Sequence, residues 1–104
     1  MDSFKDRQNA FETKYAHDQD TRFRIEARAT KLLGLWAAQE IGMDTEAAKI
    51  YAGDLVAFNL KEPGLNDVIG KVSADLTEKG RPADAVASML TRFLHEAEEQ
   101  IKAA

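Results

Sequence analysis

Two residues near the C-terminus, a histidine and a glutamate, have the side chains and the spacing of one half of a metal site. His95 and Glu99 are four positions apart, so on a helix their side chains share one face. A di-metal site in a helical bundle takes such pairs from more than one helix, and the only other histidine is His17. We therefore interpret the pair as solvated, and we expect no metal and no other cofactor.

The C-terminal carboxylates offer a second kind of chemistry, because paired acids can serve as general acid and general base. Glu96, Glu98 and Glu99 would need a cleft that raises a carboxyl pKa, and no feature of the sequence indicates one. The sequence also contains no glycine-rich phosphate loop, no nucleophile elbow and no catalytic triad set. An enzyme is therefore the least favoured class of function.

Three basic residues at helical spacing, Arg24, Arg28 and Lys31, form what we call the basic stripe. A basic stripe can contact phosphate, but Glu26 lies within this one and the whole chain has a net charge of −4. Residues 1–31 hold seven Lys/Arg and six Asp/Glu, whereas residues 32–104 hold seven and twelve. This acidic body argues against nucleic-acid binding and favours an exposed face or a protein contact.

The overall composition is ordinary for one globular domain, with 44% hydrophobic and 31% charged residues in 104. The chain has no cysteine, which excludes disulfides and thiolate sites, so its stability must come from apolar packing. The first 24 residues contain no Leu, Ile or Val, and hence no apolar core of a signal peptide. We expect a cytoplasmic protein.

The first part of the chain is rich in aromatic residues and poor in aliphatic ones. Phe4, Phe11 and Tyr15 are spaced by seven and four positions, which gives a narrow stripe if the segment is helical. Such a stripe is a weak anchor within a domain, so we infer a segment that is mobile in the free protein and becomes ordered on a partner. The alternative is an ordinary helix that packs on the core. His17 lies in this segment, and its titration near physiological pH is hypothesised to make partner binding pH-dependent.

The stretch from Arg22 to Ile41 has the strongest helical pattern and is predicted to be the central helix. Gly42 supplies the residue type that tolerates the left-handed stop conformation. The apolar run from Leu32 to Ala38 is seven residues, far below the roughly 20 that a membrane span needs. The predicted core face consists of Ile25, Ala29, Leu32, Leu33, Trp36, Ala37 and Ile41.

A second helix is predicted from about Thr45 to Lys61, with Asp44 as its cap. Gly53 within it is either a mild weakness or a point of close packing. The predicted core face consists of Ala47, Ile50, Tyr51, Leu55 and Phe58.

Two more helices follow the break at Pro63 and Gly64. Asn66 is expected to cap the third helix, from about Asp67 to Lys79, and Pro82 is expected in the first turn of the fourth. Their predicted core residues are Val68, Ile69, Val72 and Leu76, then Val86, Met89, Leu90, Phe93, Leu94, Ala97 and Ile101. No stretch has the alternation of a strand, so the predicted fold class is all-α, a four-helix bundle.

Three sequence runs resemble one known family. They are KLLGLWAA at Lys31 to Ala38, KYAHD at Lys14 to Asp18 and KVSADL at Lys71 to Leu76. In these runs the chain is similar to the zeta-subunit family, the alphaproteobacterial inhibitor proteins of the F-type ATP synthase. The likeness covers essentially the whole chain.

The resemblance implies a function that periodicity does not give. Family members are similar four-helix bundles whose N-terminal segment enters a catalytic alpha/beta interface of the ATPase head and blocks ATP hydrolysis. It implies an inhibitory N-terminal segment over residues 1–19, a helical bundle over residues 20–104, and the alpha, beta and gamma subunits of the head as partners. It also implies a position peripheral to the inner membrane without direct insertion. Carried over by position, the inhibitory residues are Phe4, Asp6, Arg7, Phe11, Glu12, Lys14, Tyr15, Ala16, His17 and Asp18.

This sequence departs from the family pattern at two places. Ala29 and Thr30 stand where the family often has Arg and Asn, so a polar contact of the family is expected to be missing here. Tyr15 stands where Phe is common and adds a hydroxyl that needs a partner if it is buried. The departures leave the inhibitory potency open. The runner-up function is a helical adaptor that binds through the same segment without inhibiting anything.

Overall fold

The computed structural model describes residues 19–103 and shows four α-helices joined by short turns. They are α1 Gln19–Ile41, α2 Thr45–Lys61, α3 Leu65–Glu78 and α4 Val86–Ala103. The described residues contain no strand. The predicted all-α, four-helix fold is therefore confirmed. The first 18 residues lie outside the described part of the chain. The mobility predicted for the N-terminal segment therefore stays a prediction.

Helix α1 is helical from Gln19, three residues earlier than predicted. Two ion pairs of (i, i+4) spacing support this first part: Arg24 to Asp20 and Arg22 to Glu26, each at 3.3 Å. Most of the predicted core face of α1 is confirmed, because Ile25, Ala29, Leu33 and Ala37 are buried and Trp36 and Ile41 pack against the same core. Leu32 was also predicted as core, but it is only partly buried and lines a surface hollow instead. A second buried row was not predicted and consists of Thr30, Gly34 and Ala38.

The second row exists because α1 and α2 approach each other very closely at one point. A Cβ atom added to Gly34 would lie only 2.8 Å from the Cα of Ala52 and 3.1 Å from its Cβ. One of the two interpretations of Gly53 was a point of close packing. That interpretation is wrong, because nothing lies within 4 Å of a Cβ atom built there. The close contact is made by the neighbouring Ala52 instead.

This contact also changes which face of α2 is buried. Leu55 is fully buried, as predicted, but Ile50 is 64% exposed and Ala47 is exposed as well. Ala52 and Asn59 are buried beside Leu55, although neither was predicted. The small side chain of Ala52 lets the two backbones meet, and this fixes the rotation of α2 so that Ile50 faces solvent.

The signals in the turn between α1 and α2 act as predicted. Gly42 has φ 93°, and the Met43 amide donates to the Ala38 carbonyl at 2.9 Å, which closes the end of α1. The Asp44 side chain accepts a hydrogen bond from the Ala47 amide at 2.8 Å and caps α2.

The predicted starts of α3 and α4 are wrong. Helix α3 begins at Leu65 rather than Asp67, because the Gly64 carbonyl already accepts from the Asp67 amide at 3.1 Å, so Asn66 lies within the first turn and is not the cap. Helix α4 begins at Val86, four residues after Pro82. A turn holds the residues between them, with the Val86 amide donating to the Ala83 carbonyl at 3.3 Å. That turn places Val86 in the core, where it is 1% exposed.

Helix α1 is the centre of the bundle. It packs extensively on α2 and α4, while α3 contacts all three other helices from one side. Helices α2 and α4 make only marginal contact with each other. Consequently none of the other three described helices covers the side of α1 that lies between α2 and α4, away from α3.

Candidate functional site

The predicted inhibitory residues all lie outside the described residues, so the structure gives no contacts for them. They are Phe4, Asp6, Arg7, Phe11, Glu12, Lys14, Tyr15, Ala16, His17 and Asp18. What the structure does describe is the point at which this segment joins the bundle, since Gln19 is already part of α1.

An exposed aromatic residue lies close to this junction. Phe23 is 48% exposed, although it is a large apolar side chain. It lines an open hollow of about 810 Å³ together with Pro63, at the start of α1 and the end of α2. Exposed aromatic side chains are typical anchors of protein interfaces. Phe23 was not among the predicted site residues, and its only sequence signal is its place among the N-terminal aromatics.

The basic stripe lies on the open side of α1, as an exposed face. Arg24 pairs with Asp20 of its own helix at 3.3 Å. Arg28 donates through Nη1 to Oε1 of Gln100 on α4 at 3.0 Å, and this partner is neutral. Lys31 is exposed. Within residues 19–103, no carboxylate forms an ion pair with Arg28 or Lys31.

The basic stripe borders a long depression that we call the α1 groove. It consists of two adjoining hollows of about 670 and 920 Å³, which share Lys31, Leu35 and Val56. The first hollow is bounded by α1, α2 and the end of α4, and the second by α1, α2 and the turn between them. Its apolar floor includes Leu32 and Leu35, both only partly buried. Sequence periodicity did not reveal this groove, because it depends on how far apart α2 and α4 lie.

The residues considered for metal or acid–base chemistry do not assemble a site in the described part of the chain. His95 and Glu99 are both exposed, and Glu96 lies 3.7 Å from Arg92 in an ion pair within α4. No three His, Asp or Glu residues among those described are grouped closely enough to hold a metal ion.

One polar cluster joins α2 to α3. The Tyr51 hydroxyl donates to Oδ2 of Asp75 at 2.7 Å, and Lys71 Nζ lies 3.3 Å from the same oxygen. Burial, and then the hydrogen bond to Asp75, raise the pKa of Tyr51 well above its ordinary value. The phenol therefore stays protonated, and the cluster serves as a structural link rather than as a reactive site.

Two buried polar atoms have no hydrogen-bond partner among the described residues. They are Oγ1 of Thr30 on α1 and Oδ1 of Asn59 on α2. Thr30 is fully buried and Asn59 is 8% exposed. An unpaired buried polar group destabilises the fold.

Among residues 19–103, none of the helices combines the length with the apolar character that a membrane span requires.

A scan against protein families gives one informative match. The family model described as ATPase inhibitor subunit zeta matches residues 1–100. Searches of curated proteins and of solved structures found no significant match. The matched range covers both the N-terminal segment and nearly all of the four-helix bundle.

Proposed function

Because its residues 1–100 match that model, the chain belongs to the ATPase inhibitor subunit zeta family, and we propose that its N-terminal segment inhibits ATP hydrolysis by the F-type ATP synthase. The family identifies the chain as a regulatory subunit and the ATP synthase as its partner. ATP is then the substrate of the partner and not of this chain. The family match over both parts of the chain is the observation that carries the proposal.

The bundle and the segment are proposed to have separate tasks. The core that joins the four described helices is made of residues such as Leu33, Leu55, Val72 and Leu76, each fully buried. These residues all come after residue 19 and lie on the four described helices. In this proposal the bundle is the folded body, and Phe4, Phe11 and Tyr15 of the segment contact the partner.

The proposed mechanism is steric. The segment becomes ordered as a helix in a catalytic alpha/beta interface and prevents the catalytic subunit from opening or closing. Burial of each aromatic contributes roughly 1.5–3 kcal/mol. Ordering the segment costs about 2–5 kcal/mol, and association costs more. The aromatics alone therefore bind weakly, so charged contacts by Arg7, Glu12 and Lys14 are needed for tight inhibition.

The exposed Phe23 extends this proposed interface into the described part of the chain. It lies four residues after Gln19 on α1 and is not required by the core. In this proposal it contacts the rim of the alpha/beta interface, and the gamma subunit lies within reach of the inserted segment. The protein would then lie at the inner membrane only through the ATP synthase.

The test is ATP hydrolysis by the purified F-type ATPase from the same organism. The full-length chain is titrated beside a version that begins at Gln19, and far-UV circular dichroism checks that the shorter version keeps its helices. We expect inhibition by the full-length chain only. Equal inhibition by both versions would refute a role for the segment.

The adaptor is the second candidate, and the exposed Phe23 and the α1 groove favour it, since a binding protein also needs exposed apolar surface. The same titration separates the two functions when binding is measured in parallel. An adaptor binds the ATPase and leaves its turnover unchanged, whereas an inhibitor lowers turnover at the concentrations at which it binds.

A further inference from the structure

We propose that the α1 groove docks an acidic amphipathic helix of the ATPase head and so attaches the bundle at a second place, apart from the N-terminal segment. This inference rests on the proposed function, because it takes the same ATPase as the partner. It concerns different residues, however, and its test can fail while inhibition stands.

The shape of the groove fits one helix. Its lining residues on α1 extend from Arg24 to Gln39, which at ~1.5 Å per residue is roughly 22 Å, or about four helical turns. Helix α2 forms one wall along both hollows, and the end of α4 forms the opposite wall of the first hollow only. The apolar lining includes Leu32, Leu35 and Val56. An apolar floor between two helices is the geometry in which an amphipathic helix lays its apolar face.

The basic residues beside the groove favour an acidic partner. Arg24, Arg28 and Lys31 follow one another at spacings of four and three, so they form a row along one side of the groove. Residues 32–104 carry seven basic and twelve acidic residues, so this row is a local positive region on an acidic protein. Arg28 and Lys31 have no carboxylate partner within residues 19–103. Acidic residues beside the apolar stripe of a partner helix would complement this row.

The position of the groove matches the partner proposed for the segment. Arg24, at one end of the groove, is five residues from Gln19, or roughly 7.5 Å along α1. When the segment is held by the head, the groove is therefore beside the same surface. Two linked contacts bind more tightly than either one, because the second contact forms at a high effective concentration.

The first experiment compares two full-length variants that change the net charge equally. Arg28→Glu/Lys31→Glu reverses the row in the groove, and Lys79→Glu/Arg81→Glu reverses two exposed charges at the turn between α3 and α4. Binding to the purified ATPase and inhibition of ATP hydrolysis are both titrated. We expect the groove variant to bind about tenfold or more weakly, with the control close to the unchanged protein. Equal dissociation constants for both variants would overturn the proposal.

The outcomes separate this inference from the proposed function. If the unchanged chain inhibits and the groove variant binds as the control does, only the groove proposal fails. If the unchanged chain binds without inhibiting and the groove variant loses that binding, the groove proposal stands and the inhibitory function fails. If the unchanged chain neither binds nor inhibits, both fail.

A second experiment identifies the occupant directly. The chain contains no cysteine, so Gln39→Cys places a unique thiol on the groove lining for a photoactivated cross-linker. With the purified ATPase, we expect cross-links to an acidic helix of the head, located by mass spectrometry. Cross-links confined to residues 1–18 of the same chain, or to a second copy, would show that another occupant fills the groove and would refute the proposal.

Discussion

Gly34 and Ala52 bring the backbones of α1 and α2 into direct contact, so that a Cβ atom on Gly34 would lie 2.8 Å from the Cα of Ala52. Gly34 is the glycine within the KLLGLWAA run, and it is buried together with Ala38 on the same side of α1. The contact sets the spacing of the two helices and the rotation of α2. It therefore also decides which α2 side chains line the α1 groove.

Gly34→Ala is expected to destabilise the protein. The added methyl meets backbone, which cannot move aside cheaply, and overpacking costs about 1–3 kcal/mol in the free energy of unfolding. The matched control is Gly53→Ala, where nothing lies within 4 Å of the new Cβ and the higher helix propensity of alanine adds roughly 0.5–1 kcal/mol. Urea unfolding of both variants measures the difference. Equal stabilisation by both would contradict the close contact.

Thr30→Val is expected to stabilise the protein by about 1 kcal/mol, because it removes a buried hydroxyl that has no partner among the described residues. The shape of the side chain is nearly unchanged. Thr91→Val is the control, since its hydroxyl is exposed and donates to the Ala87 carbonyl at 3.2 Å. Thermal and urea unfolding give the two values. A loss of stability in Thr30→Val would mean that the hydroxyl is hydrogen-bonded in solution.

Tyr51→Phe is expected to lower the free energy of unfolding by about 1–2 kcal/mol at neutral pH, because it removes the donor to the Asp75 carboxylate. The loss should also depend on pH. The folded state raises the pKa of Tyr51 above its ordinary value of 10.0, so above that pH the unfolded chain loses its proton first. The stabilisation by Tyr51 is thus fully present below pH ~10 and declines above it.

The measurement is the difference in unfolding free energy between the unchanged protein and Tyr51→Phe, followed from neutral pH to above 10. Taking this difference cancels the titration of lysines, which both proteins share. A difference that stays constant across this range would contradict the raised pKa.

Phe23→Ala is expected to weaken inhibition of ATP hydrolysis about tenfold while leaving the stability nearly unchanged, because exposed aromatics contribute to interfaces more than to the core. Ile50→Ala is the control, since Ile50 is 64% exposed on α2 and is not part of the groove lining. Titration of both variants against the purified ATPase compares their half-inhibitory concentrations. Equal potency would place Phe23 outside the interface.

The sequence by itself determined the features that depend on a few neighbouring residues. The end of α1 at Gly42 and the cap of α2 at Asp44 follow from local backbone preferences and one short hydrogen bond. The core faces of α3 and α4, and most of that of α1, follow from helical spacing, because a wide apolar stripe leaves one way to bury it. The resemblance carried by KLLGLWAA and its companion runs led to the family that the match over residues 1–100 shows.

Only the tertiary structure decided how these helices are rotated and spaced. Ile50 has the residue type of a core position, but the Gly34 contact with Ala52 turns α2 so that Ile50 faces solvent. Pro82 suits the first turn of a helix, but the burial of Val86 fixes a turn before α4. The α1 groove exists because α2 and α4 both pack on α1 and hardly touch each other. Each of these outcomes depends on contacts between distant parts of the chain, which local sequence patterns do not contain.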